Sequence, residues 1–226
     1  MKVFAYLCQD MRAVSISQLW GRAWDLFKVN WLLLLGLLVL SIIVSFIPYI
    51  GGLITMILLS PALVRAGYLV ARKGQSSSRE AFGDLGSLLM IFVYNLIFGL
   101  ILLLILAILI GVGYVLMMGS VYTEEKVVIL IVPGLIILSI LSLFGWAGPY
   151  AILSGRAGIF GAIGQSFSLT AQNFGKVFLA LLSNIGLVIL GAILCGVGLL
   201  VVIPMWYVFL PLLYLALTGE EGASHS

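Results

Sequence analysis

Arg65 is the one charged side chain that falls inside the apolar runs of this sequence. It follows Pro61 by one helical turn and shares a helical face with Tyr68 and Arg72. A charge within hydrocarbon is costly and marks a functional site by default. Three roles fit this position. The long side chain can snorkel to lipid headgroups, pair inside a helical bundle, or meet a substrate. Asn95 and Asn184 are the next polar groups of interest in apolar surroundings. Each carries a carboxamide able to hydrogen-bond between helices. Ser41, Ser45, Thr55, Ser60, Ser139, Ser142 and Ser183 are expected to bond to their own helices or to bridge to a neighbour.

Other chemistries lack their residues. The lone histidine, His225, lies in a short polar tail, and Cys8 and Cys195 are assigned to opposite membrane faces, so no metal-ligand cluster or disulfide is expected. The stretch Gly155–Gly164 is glycine-rich but has no preceding strand and no lysine of a phosphate loop. No Asp, Glu, His or Lys falls within an apolar run, which disfavours proton-coupled transport. The sequence therefore implies no catalytic residue, no cofactor and no metal. A net charge of +3 spread along the chain is not a nucleic-acid signature.

The elements that must position these residues follow from composition. The chain is 63% hydrophobic and only 8% charged, against about 25% charge in soluble domains. With a mean hydropathy of +1.29, too few charges remain to solvate a globular surface. Backbone groups in lipid must be satisfied internally, so the runs are helices or closed-barrel strands. These runs are continuous rather than alternating, which selects helices. The reading is an all-α polytopic transmembrane bundle of about six spans, near 31–48, 52–71, 87–110, 127–150, 177–194 and 198–217. Pro133 and Gly148-Pro149 are expected to kink the fourth.

Charge asymmetry orients the bundle. Lys2, Arg12, Arg22, Lys28, Arg72, Lys73, Arg79, Arg156 and Lys176 all fall on one side of these spans. The turns at 48–51 and 195–198 carry no charge. Both termini are thus expected in the cytoplasm. The short apolar patch after Lys2 is below the length of a signal-peptide core, so the first span is expected to serve as the insertion signal.

Residues 16–74 align without a gap on 159–217, at an offset of about 143 residues. Trp24 falls on Phe167, Asn30 on Asn173, Trp31 on Phe174 and Pro61 on Pro204. Both copies start on the same side, so the repeat is parallel. The single domain then comprises repeat one (16–74), a middle hairpin (87–150) and repeat two (159–217). Val14–Asn30 and Gly158–Phe174 read as two amphipathic helices in the cytoplasmic interface. Trp20, Trp24, Phe27 and Trp31 are their expected interfacial anchors. Asn30 and Asn173 would cap the spans where the chain bends into the membrane.

Further residues carry a family resemblance. They are Ala162 to Thr170, then Asn173-Phe174-Gly175-Lys176, Ile193 to Gly198, Ile203-Pro204 and Leu217-Thr218-Gly219, with a weaker version at Trp20–Trp31 and Ser60-Pro61. In these the chain resembles a broad group of prokaryotic polytopic membrane proteins. The group includes the membrane domain fused to some glycerophosphodiester phosphodiesterases, and related inner-membrane families. No phosphodiesterase domain lies within these residues, so that activity is not implied. The resemblance implies an inner-membrane helical bundle. The expected function is a non-enzymatic envelope or lipid-associated interaction module, or a complex subunit. Its partners would be membrane lipids and other membrane proteins, without nucleic acid. The alternative is a transporter or channel for a small or lipid-like solute.

Overall fold

The computed structural model describes residues 15–117, 134, 137–193 and 198–220, and the regular structure among them is helical throughout. In chain order the helices are α1 (Ile16–Ser45), α2 (Gly51–Lys73), α3 (Ser78–Phe82), α4 (Leu85–Met117), α5 (Gly148–Leu153), α6 (Ile159–Gln172), α7 (Phe174–Ile193) and α8 (Leu199–Thr218). A further helical stretch covers 137–142. Five of these, α1, α2, α4, α7 and α8, are long and apolar enough to cross a membrane. Of the expected span at 127–150, residues 127–133, 135 and 136 lie outside the described residues.

Ser15 opens α1 with a reciprocal cap. Its Oγ accepts the Gln18 amide at 3.4 Å, and Gln18 Oε1 accepts the Ser15 amide at 2.9 Å. From there α1 runs unbroken for 30 residues, about 45 Å at 1.5 Å per residue. The chain therefore does not bend at Asn30 as expected, and the lead-in and the following apolar run form one helix. Nothing in the segment breaks a helix. The buried stripe Leu19, Ala23, Leu26, Phe27, Asn30, Leu34 and Leu37 carries straight through. The chain reverses at Pro48, with Tyr49 in the left-handed region at φ 64°. The turn is tight: a Cβ on Gly51 would strike the Val44 carbonyl.

In α2 the backbone shifts register to accept a proline. Thr55–Leu59 is a π-helical turn, and the Ser60 amide reaches back to the Thr55 carbonyl. Pro61 has no N–H and its ring would clash with the carbonyl one turn earlier in a regular α-helix. The wider turn just before it relieves that conflict. Gly74, at φ 83°, ends α2 after Arg72 and Lys73, cations that suit the negative end of the helix dipole.

The core gathers around α8, which packs chiefly on α1 and α2. Val208, Phe209, Leu212, Leu213, Tyr214 and Leu215 bury this helix nearly all round. Gly67 of α2 lets the two backbones meet, since any Cβ there would collide with the Tyr207 carbonyl. Close packing of this kind is what holds helices together in a bilayer, where lipid tails are as apolar as leucine. By contrast α7 buries only Val177, Ala180 and Gly191. The apolar window of α4 is not buried at all.

The second lead-in is a separate helix. α6 ends at Gln172 and α7 begins at Phe174, with Asn173 between them at φ −123° and ψ 27°. Ala162, Ser166 and Thr170 point inward, while Phe160 is 78% exposed and Phe167 and Phe174 are also exposed. Small side chains at four-residue spacing allow close helix approach, whereas the large rings do not.

Candidate functional site

Arg65 is held rather than free to snorkel. Its Nη1 donates to the Asp84 carbonyl at 3.0 Å and to Ser87 Oγ at 2.9 Å, and lies 3.6 Å from Asp84 Oδ2. The Arg65 side chain is 17% exposed and that of Asp84 55%. Asp84 also opens α4: its Oδ1 accepts the amides of Gly86 at 3.1 Å and Ser87 at 3.3 Å, as an N-cap residue does. Hydrogen bonds from Ser87, with Arg65 nearby, hold the Asp84 carboxyl below its ordinary pKa. One guanidinium thus ties α2 to the start of α4.

The connection between these helices is pinned at two more points. Lys73 Nζ sits 3.1 Å from Glu80 Oε1, and that hydrogen bond leads in lowering the Glu80 pKa. Asn30, buried in α1, donates to the Leu26 carbonyl at 2.9 Å and to the Gly74 carbonyl at 3.0 Å, while its Oδ1 accepts the Ser76 amide at 3.3 Å. Asn30 is therefore a clasp on the turn after α2 rather than a helix N-cap. Asn173 makes the matching bond within its own segment, to the Leu169 carbonyl at 3.0 Å, but terminates a helix where Asn30 does not.

The most elaborate polar arrangement surrounds a break in the helical backbone at 143–147, just before Gly148-Pro149. Ala147 and Tyr150 there are buried, so the freed backbone groups need protein partners. Thr170 Oγ1 donates to the Leu143 carbonyl at 3.3 Å, and Tyr94 Oη to the Gly145 carbonyl at 2.8 Å. Ser166 Oγ accepts the Ala147 amide at 3.1 Å, and Trp146 Nε1 donates to Thr170 Oγ1 at 3.0 Å. Gly145 and Gly148 leave room for Phe98 and Tyr94, whose rings occupy the space that side chains there would need. Beside the break, Tyr150 packs between Tyr68 and Tyr214, with ring centroids 6.4 Å and 5.9 Å away. Tyr214 Oη pairs with Ser154 Oγ at 3.3 Å, and Arg156 Nε lies 2.6 Å from Glu220 Oε1. These groups hold structure in place, and none forms a nucleophile–base pair.

The polar residues singled out from sequence do not converge. Arg65 is engaged at the base of α4. Asn95 is exposed on the outside of α4. Asn184 lies on α7, which packs chiefly on α8, and its buried Oδ1 has no hydrogen-bond partner among the described residues. The four aromatic anchors divide as well. Trp24 and Trp31 are exposed, and Lys28 Nζ sits 5.9 Å from the Trp24 ring centroid. Phe27 is buried. Trp20 stacks on Phe209 with centroids 4.0 Å apart and donates its indole N–H to Ser183 Oγ at 2.9 Å. Trp20 and Phe27 are thus packing residues, because α7 and α8 cover their side of α1. Sequence reading missed Ser166, Thr170 and Asp84. The available signals were the Ala162–Ser166–Thr170 spacing and an Asp three residues before Ser87. No family model, curated protein or solved structure matches this chain.

Proposed function

We propose that this chain is a multi-pass protein of a prokaryotic cytoplasmic membrane, with both termini in the cytoplasm and two related hairpins flanking a middle one. Its role on this reading is that of a lipid-associated interaction module or complex subunit, not an enzyme. One observation carries the reading. Most polar groups inside the bundle hold helices together, while the described parts of α4 and α7 turn long apolar surfaces outward. Such surfaces fit lipid or other membrane helices. The exposed Phe160, Phe167 and Phe174 support a place for α6 at the membrane boundary.

Purification in nanodiscs, with identification of bound lipids and proteins, tests this role. A defined lipid class or membrane protein recovered in fixed ratio is expected. Reporter fusions at residues 75 and 122 test orientation, with cytoplasmic signal expected at 75 and external signal at 122. A second reading, passage of a small or lipid-like solute, draws on the backbone break at 143–147, since transporters place broken helices at their sites. Solute flux in proteoliposomes, abolished by Ser166→Val, would favour that reading over the first.

A further inference from the structure

Glu220 is the least exposed carboxylate in the described ion pairs, at 14% against 44% or more for Asp25, Glu80 and Asp84. It follows Gly219, which ends α8 in the left-handed region at φ 67°, and the turn brings the carboxylate back against the bundle. Arg156 meets it from the loop after α5, just beyond Gly155, itself left-handed at φ 74°. Arg156 Nε lies 2.6 Å from Glu220 Oε1. The N–H is nevertheless out of line, and this buried oxygen has no hydrogen-bond partner among the described residues. Other donors border the carboxylate. Glu220 is near enough to Tyr68 and Tyr214 to act on both electrostatically. Arg72 Nη1 donates to Tyr68 Oη at 3.4 Å, and Tyr214 Oη pairs with Ser154 Oγ at 3.3 Å. Arg72, Arg156 and the two phenols thus surround one carboxylate, which is held by charge rather than by aligned hydrogen bonds.

We propose that this cluster is a seat for a phosphate-class anion, a lipid headgroup phosphate or free phosphate, and that Glu220 is its built-in, displaceable occupant. Besides holding the end of α8, the carboxylate stands in for two oxygens of the phosphate. A phosphate carries more acceptor oxygens, so it can take the fork of Arg156 in line and still accept from a phenol hydroxyl. Release needs little rearrangement. Rotation at Gly219, which has no Cβ to restrict it, carries Glu220 away. Arg156 is 45% exposed, so an incoming anion can reach it. Once Glu220 leaves, two guanidiniums remain at the seat without a described counter-charge, which favours a new anion. The inference rests on the lipid-associated reading only for the source of the phosphate. The seat itself is tested without lipid, so either can fail alone.

The test uses the full chain in lipid-free maltoside micelles. Inorganic phosphate is titrated against the parent and variants, with chloride at equal ionic strength as the control. Glu220→Gln is expected to bind phosphate on the order of fivefold more tightly than the parent, because a partly exposed ion pair no longer competes. Arg156→Gln should lose the binding, and Arg156→Lys should recover only part of it. Melting in phosphate-free buffer shows whether each variant folds. If Arg156→Gln does not, Arg72→Gln must weaken phosphate binding in its place, or the proposal falls. No phosphate binding by either the parent or Glu220→Gln overturns it. So does equal affinity in these two, or binding that Arg156→Gln leaves unchanged. Nanodiscs of phosphatidylcholine containing phosphatidic acid then identify the source. Loss of phosphate binding there assigns the seat to a lipid headgroup, and undiminished binding assigns it to the free anion.

Discussion

Replacing Arg65 separates a headgroup-seeking cation from a structural tie. Two hydrogen bonds, at 3.0 Å to the Asp84 carbonyl and 2.9 Å to Ser87 Oγ, join α2 to α4. Each contributes about 1 kcal/mol net, somewhat more for a charged donor. The ion pair to Asp84 adds at most about 1 kcal/mol, because the carboxylate is half exposed and screened. Removing the desolvated charge returns part of this. Arg65→Leu should therefore destabilise the fold by about 2 kcal/mol. Arg65→Lys should lose about half as much, since the shorter side chain brings its ammonium less readily to the place of Nη1, which alone makes both bonds. Asp84→Asn keeps an oxygen for the Gly86 and Ser87 amides and should lose less than about 1 kcal/mol. Equilibrium unfolding of the parent and the three variants in one mixed-micelle system gives the ranking. If Lys matches the parent and Leu shifts stability only slightly, Arg65 is acting as a snorkelling cation and the tie is wrong. If Asp84→Asn proves as damaging as Arg65→Leu, the hydrogen bonds are not the main contribution.

Asn30→Leu removes three hydrogen bonds, two of which link α1 to the turn after α2, and should destabilise by about 2–3 kcal/mol; Asn173→Leu removes one and should lose about 1 kcal/mol or less by the same unfolding measurement. Ser166→Val leaves the buried Ala147 amide without its acceptor, for an expected loss of about 1–3 kcal/mol, and faster hydrogen exchange at 145–150 would localise it. Asp84 and Glu80 have lowered pKa values in the folded chain, so their contribution is complete above the ordinary carboxylate range and disappears as pH falls below about 4. A pH titration of melting temperature should show this acid-side loss reduced in the Asp84→Asn, Glu80→Gln double variant.

Helix positions were legible in the sequence because hydrocarbon leaves the backbone one main choice. The runs near 52–71, 177–194 and 198–217 lie within a few residues of α2, α7 and α8. Gly148-Pro149 likewise announced a departure from helix, and the backbone leaves it at 143–147. Partners were not legible where they depend on tertiary placement. Trp20 has the pattern of an interfacial anchor until Ser183 and Phe209, more than 160 residues away, close over it. Arg65 appeared isolated because Asp84 comes within reach only after α3 turns the chain back. The straight course of α1 past Asn30 was hidden for a related reason. An asparagine before an aromatic residue reads as a cap, yet its amide can serve a neighbouring turn equally well, and only the fold selects between them.

The place of α8 has a consequence for how the molecule is made. This helix fills the centre of the core, yet it follows the other described helices in the chain and so leaves the ribosome after them. Until it arrives, Leu63 and Ala66 on α2 and Leu19 and Ala23 on α1 lack part of the cluster they join in the finished fold. The earlier helices keep an incomplete core until α8 is made. Assembly then resembles closing an arch: its sides stand first, and commitment to the final form comes when α8 docks between them.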